Sequence, residues 1–226
     1  MALILSIETS TKVCSVALHN DGELLGTQIH QVEKSHSSLL PGIGLEVCKE
    51  ADVTFNDLDA VAVSSGPGSY TGLRIGVTTA KGICYTLKKN LISMPSLDII
   101  TEPLRGKFMG DHLLCPMMDA RRMEVYTQIE NQNGDIIWHL QPKILDEDTF
   151  KEFDKPLHLF GDGMPKFREI ASQENLIFIE DIFPEAKNMG RLALNKYKDN
   201  DFEDVAYFEP NYLKEWRTTT PKKQLL

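Results

Sequence analysis

Thirteen residues from Ser64 to Gly76, SSGPGSYTGLRIG, place four glycines and a proline between an apolar run, LDAVAV, and an amphipathic one. A glycine-rich turn leading from a strand into a helix is one way a backbone reaches phosphate oxygens. The spacing fits the known phosphate templates poorly. A Walker A loop needs G-x-x-x-x-G-K-[ST]; here Gly68 to Gly72 is one residue short, and Leu73-Arg74 stand in place of the Lys-Ser/Thr pair. As a dinucleotide fingerprint the loop reads G-x-G-x-x-x-G through Gly66, Gly68 and Gly72, and the following strand, LISMP, offers no acid for a ribose.

Two acids sit where chemistry is conceivable: Glu8 in IETST and Asp119 in MDARR. An acid at a strand-ending turn can hold a metal or orient water while nearby glycines admit phosphate. Neither turn has a glycine, and Arg121 and Arg122 crowd the second, so local backbone hydrogen bonding is the better expectation for both acids. They are the weak candidates for cofactor binding. A helical zinc site wants two histidines four apart. His36 is followed by SSLL, His30 lies six residues earlier on a predicted strand, and no G-x-S-x-G is present. No catalytic or metal-ligating residue is assigned.

The helix that follows the glycine loop carries Leu73, Val77, Ala80, Cys84 and Leu87 as one apolar stripe, with Ser69 or Thr71 as its N-cap. Gly72, Gly76 and Ala80 form a second line, a smooth groove for close approach by another segment. The pattern alone leaves open whether that segment belongs to the same lobe or to a partner.

The elements around these residues repeat. LILSIETS reads as a buried strand, and KVCSVALHNDGELLGTQIHQV as a hairpin about Asn-Asp-Gly. A helix follows with Leu40, Ile43, Val47 and Ala51 in register, in which Pro41 is tolerable only in the first turn and Gly42 and Gly44 are weakening. From Leu113 the series restarts: Asp119 matches Glu8, Ile129 matches Leu18 and Asn131 matches Asn20, all at an offset of 111. KPLHLFGDGM repeats strand-into-glycine-loop, and the helical PKFREIAS, the strand LIFIE and the helical EAKNMGRLALNKYK complete it. Two copies of such a unit predict an α/β, duplicated actin-like (ASKHA, ribonuclease H-like) fold, two lobes each with a mixed sheet flanked by helices. The predicted lobes are 1–104 and a smaller 105–213, whose C-terminal helix has the option of packing back on the first; 214–226 reads as a disordered tail.

With 33 acids against 24 bases and a net charge of −9, the 226-residue chain is a poor nucleic-acid binder by itself. Cys14, Cys48, Cys84 and Cys115 form no C-x-x-C and read as small buried residues in a reducing compartment. The first residues lack the basic region of a signal peptide, and no run approaches a membrane span.

The segments ILSIETST…CSVAL, HSSLLP, SSGPGSYTGLRIG, MDARRMEVY and PNYLK resemble the bacterial TsaB (YeaZ) family from the first strand to about Leu213. The resemblance implies a part in forming N6-threonylcarbamoyladenosine at position 37 of tRNAs that read ANN codons. It implies a non-catalytic, cytoplasmic partner of TsaD, a paralogue that carries the metal and transfers the group, with the ATPase TsaE joining and tRNA met only through the complex. No cofactor is expected, except a nucleotide at a composite interface. Two helices, about 37–51 and 71–87, are implied to pair with TsaD or, alone, with a second copy. The partner-binding candidates carried over are Leu39, Ile43, Val47, Gly72, Arg74, Gly76, Ala80 and Ile83. Glu8 departs from the family's usual Asp, and Lys214 from its usual Arg. A sugar- or acetate-kinase-like phosphotransferase and a metal-dependent peptidase-like protein are the competing readings.

Overall fold

The structure is a computed structural model that describes residues 1–31 and 36–213, and the side chains of 1–30 and 40–213. The sequence beyond Leu213, read above as a tail, and the side chains of His36 and Leu39 lie outside the described residues. The first series is β1 (Leu3–Glu8), β2 (Val13–Asn20), β3 (Glu23–Gln31), α1 (His36–Glu50), β4 (Ala60–Gly66), α2 (Tyr70–Leu87), β5 (Asn90–Pro95) and α3 (Ser96–Thr101). The second is β6 (Leu113–Asp119), β7 (Glu124–Asn131), β8 (Ile136–Ile144), β9 (Leu157–Phe160), α4 (Met164–Arg168), β10 (Leu176–Ile179) and α5 (Gly190–Lys198).

Both five-stranded sheets share one topology. The orders are β3-β2-β1-β4-β5 and β8-β7-β6-β9-β10, with the first three strands antiparallel and the rest parallel. The offset of 111 is exact in the strands: β1 ends at Glu8 and β6 at Asp119, while β2 ends at Asn20 and β7 at Asn131. The first hairpin turns through Asp21 (φ 48°) and Gly22 (φ 84°), both left-handed as its two-residue connection demands.

The lobes differ in their helices. α1 and α2 cover one face of the first sheet, and Leu40, Ile43, Val47, Val77, Ala80 and Cys84 pack there with Leu5, Ile7, Val16 and Val63. The segment between β8 and β9 holds only turns, so the second lobe has no counterpart of α1, and α4 is 5 residues against 18 in α2. Pro41 lies in the second turn of α1 rather than the first, with its ring on the exposed side.

Residues 186–213, counted with the second lobe from sequence but with a C-terminal helix free to pack back, pack on the first. Ala186, Met189 and Ala193 join Ile4, Ala17, Ala62 and Ile92 in a core on the other face of its sheet. The chain then runs back as a strap. Glu203 bridges Leu91, Lys81 donates to the carbonyls of Ala206 (3.1 Å) and Phe208 (2.9 Å), and Asn211 N–H donates to Ser65 O (2.7 Å). Among the described residues no helix is long and apolar enough to cross a membrane.

All four cysteines are free and buried, and burial pushes their thiols up to about 11 for Cys14 and Cys48 and about 12 for Cys84 and Cys115. The thiolate is the reactive form. The native protein is therefore expected to leave an aromatic disulfide reagent unreduced at pH 8, and the denatured chain to release four equivalents. Rapid release of even one equivalent from the native protein would contradict the packing.

Candidate functional site

The glycine loop ends on the β1–β2 turn. Gly68, Gly72 and Gly76 all face residues 9 and 10: an added Cβ would lie 2.4 Å from Ser10 O at Gly68, 2.1 Å from Thr9 O at Gly72 and 2.2 Å from Thr9 Oγ1 at Gly76. Ser69 N–H donates to Ser10 O at 2.6 Å, and Ser69 caps α2 by accepting from Gly72 N–H at 3.2 Å. The groove foreseen along Gly72, Gly76 and Ala80 is thus real, and its occupant is the lobe's own turn.

Three amides at and beside the turn pair within the chain, while Thr9 Oγ1, Ser10 Oγ and Glu8 Oε2 are buried without a partner among the described residues. Thr9 N–H donates to Ser64 Oγ (3.3 Å), Ser10 N–H to the Glu8 carboxylate (2.5 Å) and Val13 N–H to Thr11 Oγ1 (3.1 Å). The Glu8 side chain is fully buried, and burial raises its pKa from 4.5 to about 7 against hydrogen bonds from Ser10, Ser64 and Thr9. The second turn is closed in the same way. Asp119 N–H donates to Asp162 Oδ1 (2.9 Å), Ala120 N–H to Glu124 O (3.0 Å) and Arg121 N–H to the Asp119 carboxylate (3.0 Å). Asp119 also pairs with Lys166, whose ammonium donates to the carbonyls of Arg122 (2.9 Å) and Glu124 (2.6 Å). A Cβ at Gly161 would lie 2.4 Å from Met117 O, and one at Gly163 2.7 Å from Val125 Cγ1. A nucleotide phosphate on an actin-like fold needs free backbone N–H groups at these two turns. The amides of Thr9, Ser10, Asp119, Ala120 and Arg121 are already paired within the chain. Among the described residues no cluster of three or more His, Cys, Asp or Glu could hold a metal ion.

The candidates for partner binding divide by face. Ile43, Val47 and Ala80 are 4%, 0% and 0% exposed, and Gly72 and Gly76 are buried under Thr9. As placed they contact their own lobe, because small and apolar residues at helical spacing face the core first. Ile83 is half-buried against that core. Arg74 is exposed, lies over the Tyr70 ring (5.3 Å) and donates to Tyr70 Oη (2.7 Å), while the Tyr212 ring of the strap packs tilted against Tyr70 with centroids 4.7 Å apart. The outward faces of the same helices carry residues that the sequence reading passed over: Leu45 on α1 and Tyr85 on α2, 57% and 81% exposed. Gly42 and Gly82 share those faces, with nothing within 4 Å of an added Cβ. The available signal was an apolar residue off the core stripe.

Two mixed-sheet lobes of one topology, each with its first turn closed by its own glycine loop, define a duplicated actin-like protein. The matching family model is described as "TsaD: tRNA N6-adenosine threonylcarbamoyltransferase" and spans residues 24–215. The chain belongs to that family, and within it to the TsaB (YeaZ) group. The Escherichia coli K12 and Bacillus subtilis proteins named "tRNA threonylcarbamoyladenosine biosynthesis protein TsaB" are 26% and 27% identical to it. The alignments cover 93% of this chain and 94% and 93% of theirs. YeaZ from Pseudomonas aeruginosa shares the fold at a TM-score of 0.81 and 23% identity, over 94% of this chain and all of that one.

Two tests follow from the turn. Gly72→Ala should lose ~1–3 kcal/mol to overpacking despite better helix propensity, and Gly76→Ala should lose stability and recover in part when Thr9→Ala removes the facing hydroxyl. Thr9→Ala should not rescue Gly72→Ala, whose clash is with backbone. Gly82→Ala, in open space, should gain up to about 1 kcal/mol. Equilibrium urea unfolding reads all of these, and a Gly72→Ala variant as stable as the parent would refute the seating.

The second concerns Glu8. A folded pKa above the unfolded one means the native state holds a proton that the unfolded chain gives up. Its stabilising contribution is full below about 4.5 and is lost as pH rises to about 7, roughly 3 kcal/mol in all. Glu8→Gln abolishes this titration, so the variant's stability relative to the parent should climb between pH 5 and pH 8. Parallel stability curves would show that Glu8 does not titrate there.

Proposed function

We propose that this chain serves in the formation of threonylcarbamoyladenosine on tRNA as a non-catalytic partner of a TsaD-like paralogue. The observation that supports the non-catalytic part is that the amides of Thr9, Ser10, Asp119, Ala120 and Arg121 are taken by the chain's own Ser64, Glu8, Asp162, Glu124 and Asp119 groups. The tRNA part follows from the names of relatives aligned over nearly their whole length. In this reading the protein works in the cytoplasm, holds no metal or nucleotide of its own, pairs with itself when alone, and reaches tRNA and a TsaE-like ATPase only within the complex.

Docking then belongs to the outward faces of α1 and α2. Tyr85 and Leu45 are large side chains left in water there; Tyr is a residue type that anchors interfaces, and Leu45 adds apolar area beside it. Gly42 and Gly82 cost helix stability, and among the described residues nothing lies within 4 Å of an added Cβ at either, which suits close approach by a facing helix. Arg74, exposed at the start of α2, borders the same face.

Mixing the purified chain with the TsaD-like protein of the same organism tests the proposal. Tyr85→Glu and Leu45→Glu should each weaken binding by about 10-fold or more, as loss of an interface anchor does, with unchanged melting temperature. No binding by the parent chain would defeat the proposed partnership, and full binding by both variants would move the docking face elsewhere. The chain by itself should release no phosphate from ATP.

A further inference from the structure

The connection between the lobes is built around a single guanidinium. Arg105 follows α3, in the segment that leaves the first lobe. Its Nε and Nη2 donate to the two carboxylate oxygens of Glu130 on β7 (2.6 and 2.9 Å), its Nη1 to Glu102 (3.0 Å), and Nη2 also to Asp98 on α3 (3.4 Å). The Glu130 side chain is fully buried and Arg105 is 15% exposed. Gln128, also on β7, donates to Asp98 at 3.2 Å. The other oxygen of Glu102 accepts from Arg191 Nε of α5 at 2.6 Å, on the segment that returns to the first lobe. Both crossings of the chain between the sheets thus meet at Glu102.

Apolar packing closes the same joint. Leu97, Ile100 and Leu104 share a dry cluster with Leu114, Met118 and Phe160 of the second sheet. The returning chain is pinned as well: Ala186 N–H donates to Ser15 Oγ (2.8 Å), and a Cβ at Gly190 would lie 2.4 Å from Gly22 O.

We infer that Arg105, with Glu130, Glu102 and Asp98, is an ionic lock that holds the two lobes at one fixed angle. Two-lobed enzymes close on their ligands by rotating about a few connecting residues. Rotation here would withdraw the guanidinium fork from Glu130 and leave a buried carboxylate unpaired, which is strongly unfavourable. The planar fork matters, since a lysine at 105 keeps the charge but not the two parallel bonds. The lock turns the hinge of the fold into a fixed joint and makes the first lobe's helices a rigid docking platform. It depends on no identified partner.

Spin labels on Leu25→Cys in β3 and Ile144→Cys in β8, both exposed positions, report the inter-lobe distance in the full chain. The four buried native thiols can stay in place, and excess unlabelled protein removes distances between copies. The expected result is one narrow distance distribution, unchanged by Mg-ATP, that broadens or splits in Arg105→Ala. Arg105→Lys should broaden it too, and is the variant to read if Arg105→Ala does not fold. Arg191→Ala, at the exposed end of the network, should broaden it least. A broad or ATP-shifted distribution in the parent, or distributions in the folded Arg105 variants that superpose on the parent's, would overturn the lock.

Discussion

Thr9 presses its backbone carbonyl and its hydroxyl onto a helix face that has no side chains to resist it. A Cβ at Gly72 or Gly76 would stand about 2 Å from those two atoms, so the contact exists only because both residues are glycine. The remaining arrangement of the first lobe is built on that contact. It sets α2 against the end of β1, brings Ser69 over Ser10, and lets Ser64 and Glu8 take the amides of Thr9 and Ser10. The strap then fastens the outside, with Asn211 on Ser65 and Tyr212 on Tyr70. A motif with the look of a phosphate loop has become a packing motif, and the acid beside it is buried deeply enough to favour its neutral form.

The asymmetry of the two lobes points the same way. The first lobe keeps two long helices whose inner faces build a core and whose outer faces carry Leu45, Tyr85, Gly42 and Gly82. The second lobe has lost the first of these helices and most of the second. Its turn is closed by close packing of Gly161 and Gly163 and, in addition, by charge, with Lys166 bridging Asp119 and two backbone carbonyls. Surface suited to a helical partner is therefore concentrated on one lobe, while the other contributes a sheet and the fixed joint.

Much of the fold was legible because strand pairs announce themselves locally. The Asn-Asp-Gly turn and the offset of 111 between Glu8 and Asp119 are properties of short segments, and both reappear residue for residue in the strand ends. The missing helix between β8 and β9 was less visible, since its place is taken by turns that keep Phe150 and Phe153 in the core. The direction of the glycine line was not legible at all. Periodicity says that Gly72, Gly76 and Ala80 share a face, but which segment fills it depends on the β1–β2 turn, distant in sequence. The strap was missed for a related reason: residues 203–213 have no period, and they are held by backbone groups that meet Leu91, Lys81 and Ser65. Leu45 and Tyr85 lie off the apolar stripe, where helical periodicity carries no signal for them.

The first turn's Thr9 and Ser10 amides are held by the chain's own groups. Amide hydrogen exchange resolved at Thr9, Ser10, Ser69 and Gly72 tests this most directly, measured with and without saturating Mg-ATP. The account predicts slow exchange at all four, approaching that of the β1 and β4 core amides, and no change on adding nucleotide. Fast exchange at Thr9 and Ser10, or new protection and shifted resonances there when ATP is added, would mean that the turn is open and that phosphate has a place to bind.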